Sequence, residues 1–394
     1  MAQNIKVPSA PPPFGPSPEP DPGNKNRLWD NTNMGHRGPM PVMTTTTGNV
    51  TDNTVGGSTF AKGVGGPCQI LNAKSTENAP MHGISKCKKF WIDELASHPD
   101  KEFKEKIVEY VTEGAPIGYE GILELKEPKN WPSAKKFSKE VDEFVIKHWK
   151  NGAIEGPFEL GKEVIVTSPL GAFIKKGKEK VRVIHDLSYP RGNSVNSGID
   201  KNESSVEYTS VIQGAKMCMQ YKTPFLAKYD LQDAYLSCPV KLEDRKYLGF
   251  LWQPENDPER VMRFSSLPFG LRSSAKKFSD IAEALMYICK KHGTVNSSIY
   301  YLDDALTVSE SYASCKASLD TMVSTAKQCG FKVNDKKTVG PDRRLEFLGV
   351  ELDTVSKQMK MSQSRIQEIN EEISEWETRK TCTKKNNCSA CSAN

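Results

Sequence analysis

Two aspartates stand side by side in Tyr301-Leu302-Asp303-Asp304, between the β-forming runs Ile299–Leu302 and Leu306–Val308. A tight hairpin there would hold two carboxylates at strand ends, where like charges cost free energy unless cations neutralise them. Read alone, the tetrapeptide favours a polar turn, because Asp is a common turn residue. A second acid shifts that balance. Phe225 to Leu231 is an apolar strand that runs into Asp230, with Asp233 just beyond. Asp230 and Asp303 on neighbouring strands would make an oxygen cage. Mg²⁺ takes one or two protein carboxylates together with substrate phosphates and water. Two such ions about 3.5–4 Å apart can activate an attacking hydroxyl and stabilise a leaving oxygen. That is the apparatus of nucleotidyl transfer, which template-directed polymerases and nucleotide cyclases share.

Other segments bear on the choice between those two. Lys175, Lys176, Lys178, Lys180 and Arg182 lead into the strand Val181–Leu187. Lysines as point charges and arginine as a fork could hold a triphosphate. For any one of them, a solvated hairpin tip is the plainer reading. Ser266-Leu-Pro-Phe-Gly-Leu-Arg-Ser-Ser274 is a rigid turn that opens a helix, with backbone N–H groups free to face a phosphate or a template strand.

The elements that must position these residues follow from periodicity. Phe103, Ile107, Tyr110 and Val111 share a helix face that Gly114 ends. Phe137, Val141, Phe144, Val145 and His148 repeat the pattern up to Asn151-Gly152, with His148 expected as a packed histidine. Val164–Val166, Val181–Ile184, Phe225–Leu231, Lys246–Trp252 and Leu345–Leu352 read as strands. Helices are expected through Phe278, Ile281, Leu285 and Ile288, then through Leu319, Met322, Val323 and Ala326. A last amphipathic helix carries Ile366, Ile369, Ile373 and Trp376. Strands and helices mix without regular βα alternation. The fold class is therefore α+β, with a split βαβ-type antiparallel sheet covered by helices on one face.

Residues 1–23 hold eight prolines and residues 24–80 are rich in Gly, Thr, Asn and Ser. Such a segment cannot bury enough apolar surface to offset chain entropy, so residues 1–80 read as a disordered lead-in. A helical segment is expected over 81–158. The net charge of the 394 residues is only +5, so any footprint on nucleic acid must be local. No apolar run reaches the ~18 residues of a membrane span, and no basic-then-apolar leader opens the chain. The ten cysteines are mostly scattered singly, unlike a disulfide framework, and fit a reducing intracellular compartment. The residues do not separate nucleus from cytoplasm. Cys382, Cys388 and Cys391 offer three of the four donors that a zinc site needs.

Taken together, the segments resemble the reverse transcriptases of retroelements. The motifs are Ser168–Lys176 with Arg182–Ser188, Tyr229-Asp-Leu-Gln-Asp-Ala-Tyr235, Leu267-Pro-Phe-Gly270, Tyr301–Asp304, Gly330–Thr338 and Glu346–Gly349. They stand in order over about 160–352. Asp186–Asn196 and the Trp91–Gly121 region look like tyrosine-recombinase (DIRS-type) retrotransposons. The resemblance implies a right-hand polymerase with fingers and palm over 159–352. It also implies an RNA-directed DNA polymerase, acting on an RNA or DNA template with its primer and on deoxynucleoside triphosphates, with no membrane partner. Asp230, Asp303 and Asp304, with the Leu231 carbonyl, would hold two Mg²⁺ ions, Mn²⁺ being an alternative. Arg182 with Lys175 or Lys176 would grip the triphosphate. Tyr235 would leave no room for a ribose 2′-OH. Phe269 and Gly270 would line the nucleotide pocket, and Lys337 would sit near the leaving pyrophosphate. Phe347, Leu348 and Gly349 would form the primer grip. Residues 353–394 read as a thumb-like helix and tail, cut short beyond Arg379–Lys385, so that the chain is expected to be truncated after the palm. The rival readings are a catalytically inactive nucleic-acid-binding protein derived from such an element, an RNA-templated RNA polymerase, which Tyr235 disfavours, and a cyclase.

Overall fold

The computed structural model describes residues 82–122, 128–159, 163–174, 180–254 and 257–378. All lie in the larger of two compact units, Val64–Asn394. Lys175 and Lys176, Lys178, the proline-rich lead-in, Arg379–Lys385 and Cys382, Cys388 and Cys391 fall outside the described residues.

The chain begins with α1 (Lys88–Leu95) and α2 (Lys101–Thr112). Asp100 caps α2 by accepting the Phe103 N–H at 2.9 Å, and Gly114 at φ 100° turns the chain away. Then follow α3 (Pro132–Lys136), α4 (Ser138–Lys150), β1 (Ile154–Phe158), β2 (Leu170–Ile174), β3 (Val181–His185) and α5 (Val211–Cys218). The middle of the chain is β4 (Phe225–Gln232), β5 (Gly249–Trp252), β6 (Arg260–Phe264), α6 (Ser274–Lys291), β7 (Ser297–Tyr301), β8 (Asp304–Ser309) and α7 (Tyr312–Gln328). It ends with β9 (Lys332–Val333), β10 (Val339–Asp342), β11 (Arg344–Phe347), β12 (Val350–Asp353), β13 (Gln358–Met361) and α8 (Gln363–Thr378).

The central sheet is antiparallel, in the order β10-β4-β8-β7, with β9 also pairing on the end of β4. Strand alternation sorts its side chains. Ala227, Tyr229, Leu231 and Ala305 face the main core, where α6 and α7 pack. Leu226, Leu306 and Val308 face the other way. They join Leu345, Phe347 and Leu352 of β11–β12 in a second cluster. The paired strands β4 and β8 are thus apolar on both faces over most of their length, and their acids, Asp230 and Asp304, stand at one end. Two further sheets, β1-β6-β5 and β11-β12-β13, and the hairpin β2-β3 flank it in the sequence.

The amino-terminal helices belong to the same core. Trp91 is fully buried, and its indole N–H donates to the Cys329 carbonyl at 2.9 Å. Gly83 lies so close to the backbone before β5 that a Cβ would stand 2.0 Å from the Ser237 carbonyl oxygen. Three sequence expectations need correction. Val164–Val166 forms no strand: Val166 exchanges single backbone bonds with Lys246 and Gly249, and the ladder is no more than an isolated bridge from Thr167 to Gly249. Lys246–Trp252 opens in a helical turn, Leu242–Tyr247, and becomes strand only at Gly249. Leu345–Leu352 is a hairpin rather than one strand. Leu348 and Gly349 turn the chain at φ 52° and 78°, and Phe347 pairs with Val350.

Candidate active site

The β4–β8 register places Asp230 directly opposite Asp304, so their side chains share one face at the end of the sheet. Tyr301 of β7 stands on the far side of Asp304 in the same row. Leu302 and Asp303 form the two-residue loop between Tyr301 and Asp304. Leu302 takes φ 53°, a left-handed conformation that costs a branched residue about 1–2 kcal/mol. The Leu231 N–H closes this corner by donating to the Asp303 carbonyl at 2.9 Å. Strand pairing, not side-chain chemistry, therefore brings the three acids together.

Asp230 is 4% exposed and fully engaged. Lys337 donates to its Oδ2 at 2.5 Å, and the Asn334 amide donates to its Oδ1 at 3.2 Å. The Asn334 backbone N–H also donates to the Asp230 carbonyl at 2.8 Å. Burial, then the charges of Asp303 and Asp230, push the Asp304 carboxyl up to about 6. Burial likewise raises Asp303, with Asp230 adding to the rise and Lys337 and Arg182 opposing it. Burial pulls the Lys337 ammonium down, but its bond to Asp230 and the three negative charges outweigh that and hold it above its ordinary range. These acids repel one another and lack enough positive charge. All their donors are hard oxygens, which suits Mg²⁺ or Mn²⁺. Among the described residues no three acidic, cysteine or histidine side chains are drawn into a closed metal-binding set.

Around the acids stands an aromatic wall. The Tyr235 ring stacks on Phe278 with centroids 4.8 Å apart, and the Phe269 ring lies 5.1 Å from it. Burial, Tyr208 and the Asp303 charge all push the Tyr235 phenol up, so it stays neutral. Phe269 is 51% exposed at the turn before α6. Gly270 follows it at φ 107°, and a Cβ there would stand 2.2 Å from the His185 carbonyl oxygen. Arg182 lies on β3 opposite Phe173, close enough for its charge to act on Asp303. The nearby turn residues divide differently. Leu348 and Gly349 cap the β11–β12 hairpin, whereas Phe347 is fully buried beneath it. Asp233 does not join the acids: it turns away at φ 51° and pairs with Lys147 at 2.6 Å. His148 is buried, and burial lowers it to about 4.

Sequence reasoning missed four residues of this site. Asn334 lay inside a quoted motif, but nothing marked its amide as the partner of Asp230. Tyr208, 5.2 Å from Tyr301, had no local signal. Asn196 and Arg272 meet only through tertiary structure, with the Arg272 N–H donating to the Asn196 Oδ1 at 2.7 Å.

Residues 174–352 match the family described as reverse transcriptase (RNA-dependent DNA polymerase). The Gag-Pol polyprotein of Rous sarcoma virus subgroup C is 26% identical over 183 residues, which is 45% of this chain and 11% of that one. The Gag-Pol polyprotein of avian reticuloendotheliosis virus is 26% identical over 142 residues, 36% of this chain and 12% of its own. The genome polyprotein of Petunia vein clearing virus is 25% identical over 130 residues, 33% of this chain and 6% of its own. The chain thus spans a small part of the curated relatives it matches. Among solved structures, a foamy viral protease–reverse transcriptase in complex with double-stranded DNA superposes with a TM-score of 0.52 at 15% identity. The match covers 82% of this chain and 63% of that one. Residues 174–352 are thus similar to reverse transcriptase domains of the retroelement and retroviral type, and the structural likeness is that of a fold of mixed helices and sheets.

Proposed function

We propose that the chain is an RNA-directed DNA polymerase of a retrotransposon of the tyrosine-recombinase type. In this reading 159–352 forms fingers and palm, and the segment from 353 starts a thumb. One observation carries it: Asp230 faces Asp304 across paired strands, with Asp303 at the loop beside them and Lys337 and Arg182 supplying positive charge. Asp230, Asp303 and Asp304, with the Leu231 carbonyl, are the groups that would hold two Mg²⁺ ions. When bound, such ions promote deprotonation of a primer 3′-OH and neutralise charge on the leaving pyrophosphate.

The protein's own side chains do the rest. Arg182 binds the triphosphate, with Lys175 or Lys176 as further candidates. Phe269 supports the incoming base, and Gly270 lets the backbone approach it. Tyr235, fixed by Phe278, fills the space that a ribose 2′-OH would need, which selects deoxynucleotides. Lys337 carries its proton beside the acids and would donate it to the leaving pyrophosphate oxygen. Leu348 and Gly349 touch the primer from the hairpin tip, and Phe347 anchors that tip in the second cluster. The partners are a template–primer of RNA or DNA and deoxynucleoside triphosphates. No helix among the described residues is long and apolar enough to cross a membrane.

The test is primer extension on a poly-ribonucleotide template with a DNA primer, one matching deoxynucleotide and Mg²⁺, beside Asp303→Asn. Extension by the parent and none by the variant supports the reading. Template–primer binding indifferent to Asp303→Asn, with no synthesis by either protein, replaces it with a non-catalytic binding protein. A cyclic product formed without template replaces it with a cyclase.

A further inference from the structure

Asn196 lies far from the acids in sequence and is 6% exposed. Its side-chain amide makes three hydrogen bonds. Nδ2 donates to the Gly270 carbonyl at 2.7 Å and to Ser188 Oγ at 2.9 Å, while Oδ1 accepts the Arg272 N–H at 2.7 Å. The orientation of the amide is forced, because a backbone carbonyl can only be donated to and a backbone N–H can only be accepted. Asn196 is itself held by its own N–H, which donates to the Leu187 carbonyl at 2.9 Å. Arg272 is held twice, since its guanidinium donates to the Ile199 carbonyl at 2.7 Å.

The turn from Phe269 to Arg272 is therefore gripped from both sides. On one side Asn196 bonds the backbone of the residues at 270 and 272. On the other, the space at Gly270 is closed by the His185 carbonyl, 2.2 Å from where a Cβ would lie. Phe269 stands immediately before these held residues, half exposed and 5.1 Å from the Tyr235 ring. Tyr235 is itself packed against Phe278.

We propose that Asn196 is a positioning residue that sets sugar selectivity by fixing Phe269 against Tyr235. The inference rests on the polymerase reading. An amide is required at 196 because two donors and one acceptor are used at once. A carboxylate would turn two attractive contacts, to the Gly270 carbonyl and Ser188 Oγ, into lone-pair repulsions or force a hydroxyl to rotate.

The experiment compares the full chain with Asn196→Ala, Asn196→Asp, Phe269→Ala and the Asn196→Ala/Phe269→Ala double variant. Single-nucleotide extension is measured with deoxy- and ribonucleotides. Asn196→Ala should raise the KM for the deoxynucleotide and lower its preference over the ribonucleotide, each by about 10-fold, with a smaller change in kcat. Asn196→Asp should exceed Asn196→Ala in both. Because Asn196 acts through Phe269, the double variant should be no worse than Phe269→Ala alone. Parental selectivity in Asn196→Ala, or effects that multiply in the double variant, overturns the proposal while leaving the polymerase reading intact.

Hydrogen exchange on the unliganded protein keeps the test open if Asn196→Ala is poorly active. The Leu271 to Ser273 amides should exchange at least about 10-fold faster in Asn196→Ala, with Leu226–Leu231 unchanged. Equal exchange in that turn also overturns the proposal. A parent that extends no primer overturns the polymerase reading and the selectivity role together.

Discussion

The two faces of the central sheet differ within single strands. Along β4, Ala227, Tyr229 and Leu231 point into the main core, and Leu226 points into the second cluster with Leu306 and Phe347. On the Leu226 face, two residues further on, Lys228 donates to the Glu346 carbonyl at 2.5 Å, and two beyond that stands Asp230. One face is apolar from end to end. The other passes from apolar packing through a cation to an acid over a single strand. The apolar face secures the register, and the register in turn holds Asp230 opposite Asp304 against their repulsion. Stability and chemistry are thus carried by neighbouring residues of opposite facing.

That comparison predicts a separation of effects, and the largest falls on the acidic face. Asp303→Asn should lower primer extension by on the order of 10³-fold or more, an effect larger than the loss of one hydrogen-bond donor. Its melting temperature should equal or exceed that of the parent, because a repelling charge is removed. A variant that loses activity by unfolding would break the comparison, and thermal melts beside the kinetics decide it.

The apolar side should show the reverse. Trp91→Ala empties a fully buried site and leaves the Cys329 carbonyl without its donor. A loss of about 3–5 kcal/mol is expected in denaturant unfolding. At temperatures where the variant stays folded, its kcat should remain near the parent's. A kcat that falls as far as the stability would show that the amino-terminal helices serve the site as well as the core.

The pH dependence sharpens the contrast, because the two kinds of buried group slope in opposite directions. Asp304 is raised to about 6, so the folded chain holds its proton where the unfolded chain releases it. That contribution to stability is complete below the ordinary carboxylate range and is lost as pH rises through about 6. Burial lowers His82 and His185 to about 4, and His148 too despite the opposing Asp233 charge. The unfolded chain binds protons on these groups first, so stability falls as pH drops from about 6.5 toward 4. Asp304→Asn should therefore raise the melting temperature near pH 7.5 by a few degrees, roughly 2–4 °C per kcal/mol for a domain of this size, and change it little at pH 4.5. Mn²⁺ or Mg²⁺ should stabilise the parent more at pH 7.5 than at pH 5. Equal metal effects at the two pH values would detach the raised Asp304 from metal binding.

What could be read from the sequence follows from how local each feature is. The hairpin around Asp303-Asp304, helices α2, α4, α6 and α7 and the glycine ends at Gly114 and Gly330 are set by residues within a few positions. Their types suffice to place them. The pairing of Asp230 with Asp303 and Asp304 was legible only because the apolar strand and the hairpin both ended in acids. Trp91 and Cys329 are 238 positions apart, and Asn196 and Gly270 are 74 apart. Periodicity carries no information at those separations. Val164–Val166 misled because β-branched residues mark a half-buried surface whether or not a partner strand supplies a full ladder. Leu345–Leu352 misled because Leu348 adopts a conformation that its side chain disfavours.

That last residue gives the smallest expected effect and the closest test of the comparison. Leu348 and Leu302 are both leucines at positive φ, 52° and 53°, and both sit at hairpin tips beside the acidic face. Leu302 is tied to the acids by its neighbour Asp303, so changing it would move the chemistry. Leu348 tips a hairpin whose base is already fixed by buried Phe347. Replacing it with glycine removes left-handed strain but loosens the unfolded chain, and a net gain of up to about 1 kcal/mol is expected. If a leucine is kept there at that cost because its side chain grips the primer, Leu348→Gly should bind template–primer several-fold more weakly while unfolding at higher denaturant. A variant that is more stable and binds equally well would leave the strain at 348 without a functional cause, and the primer contact would then have to be sought elsewhere on β11–β12.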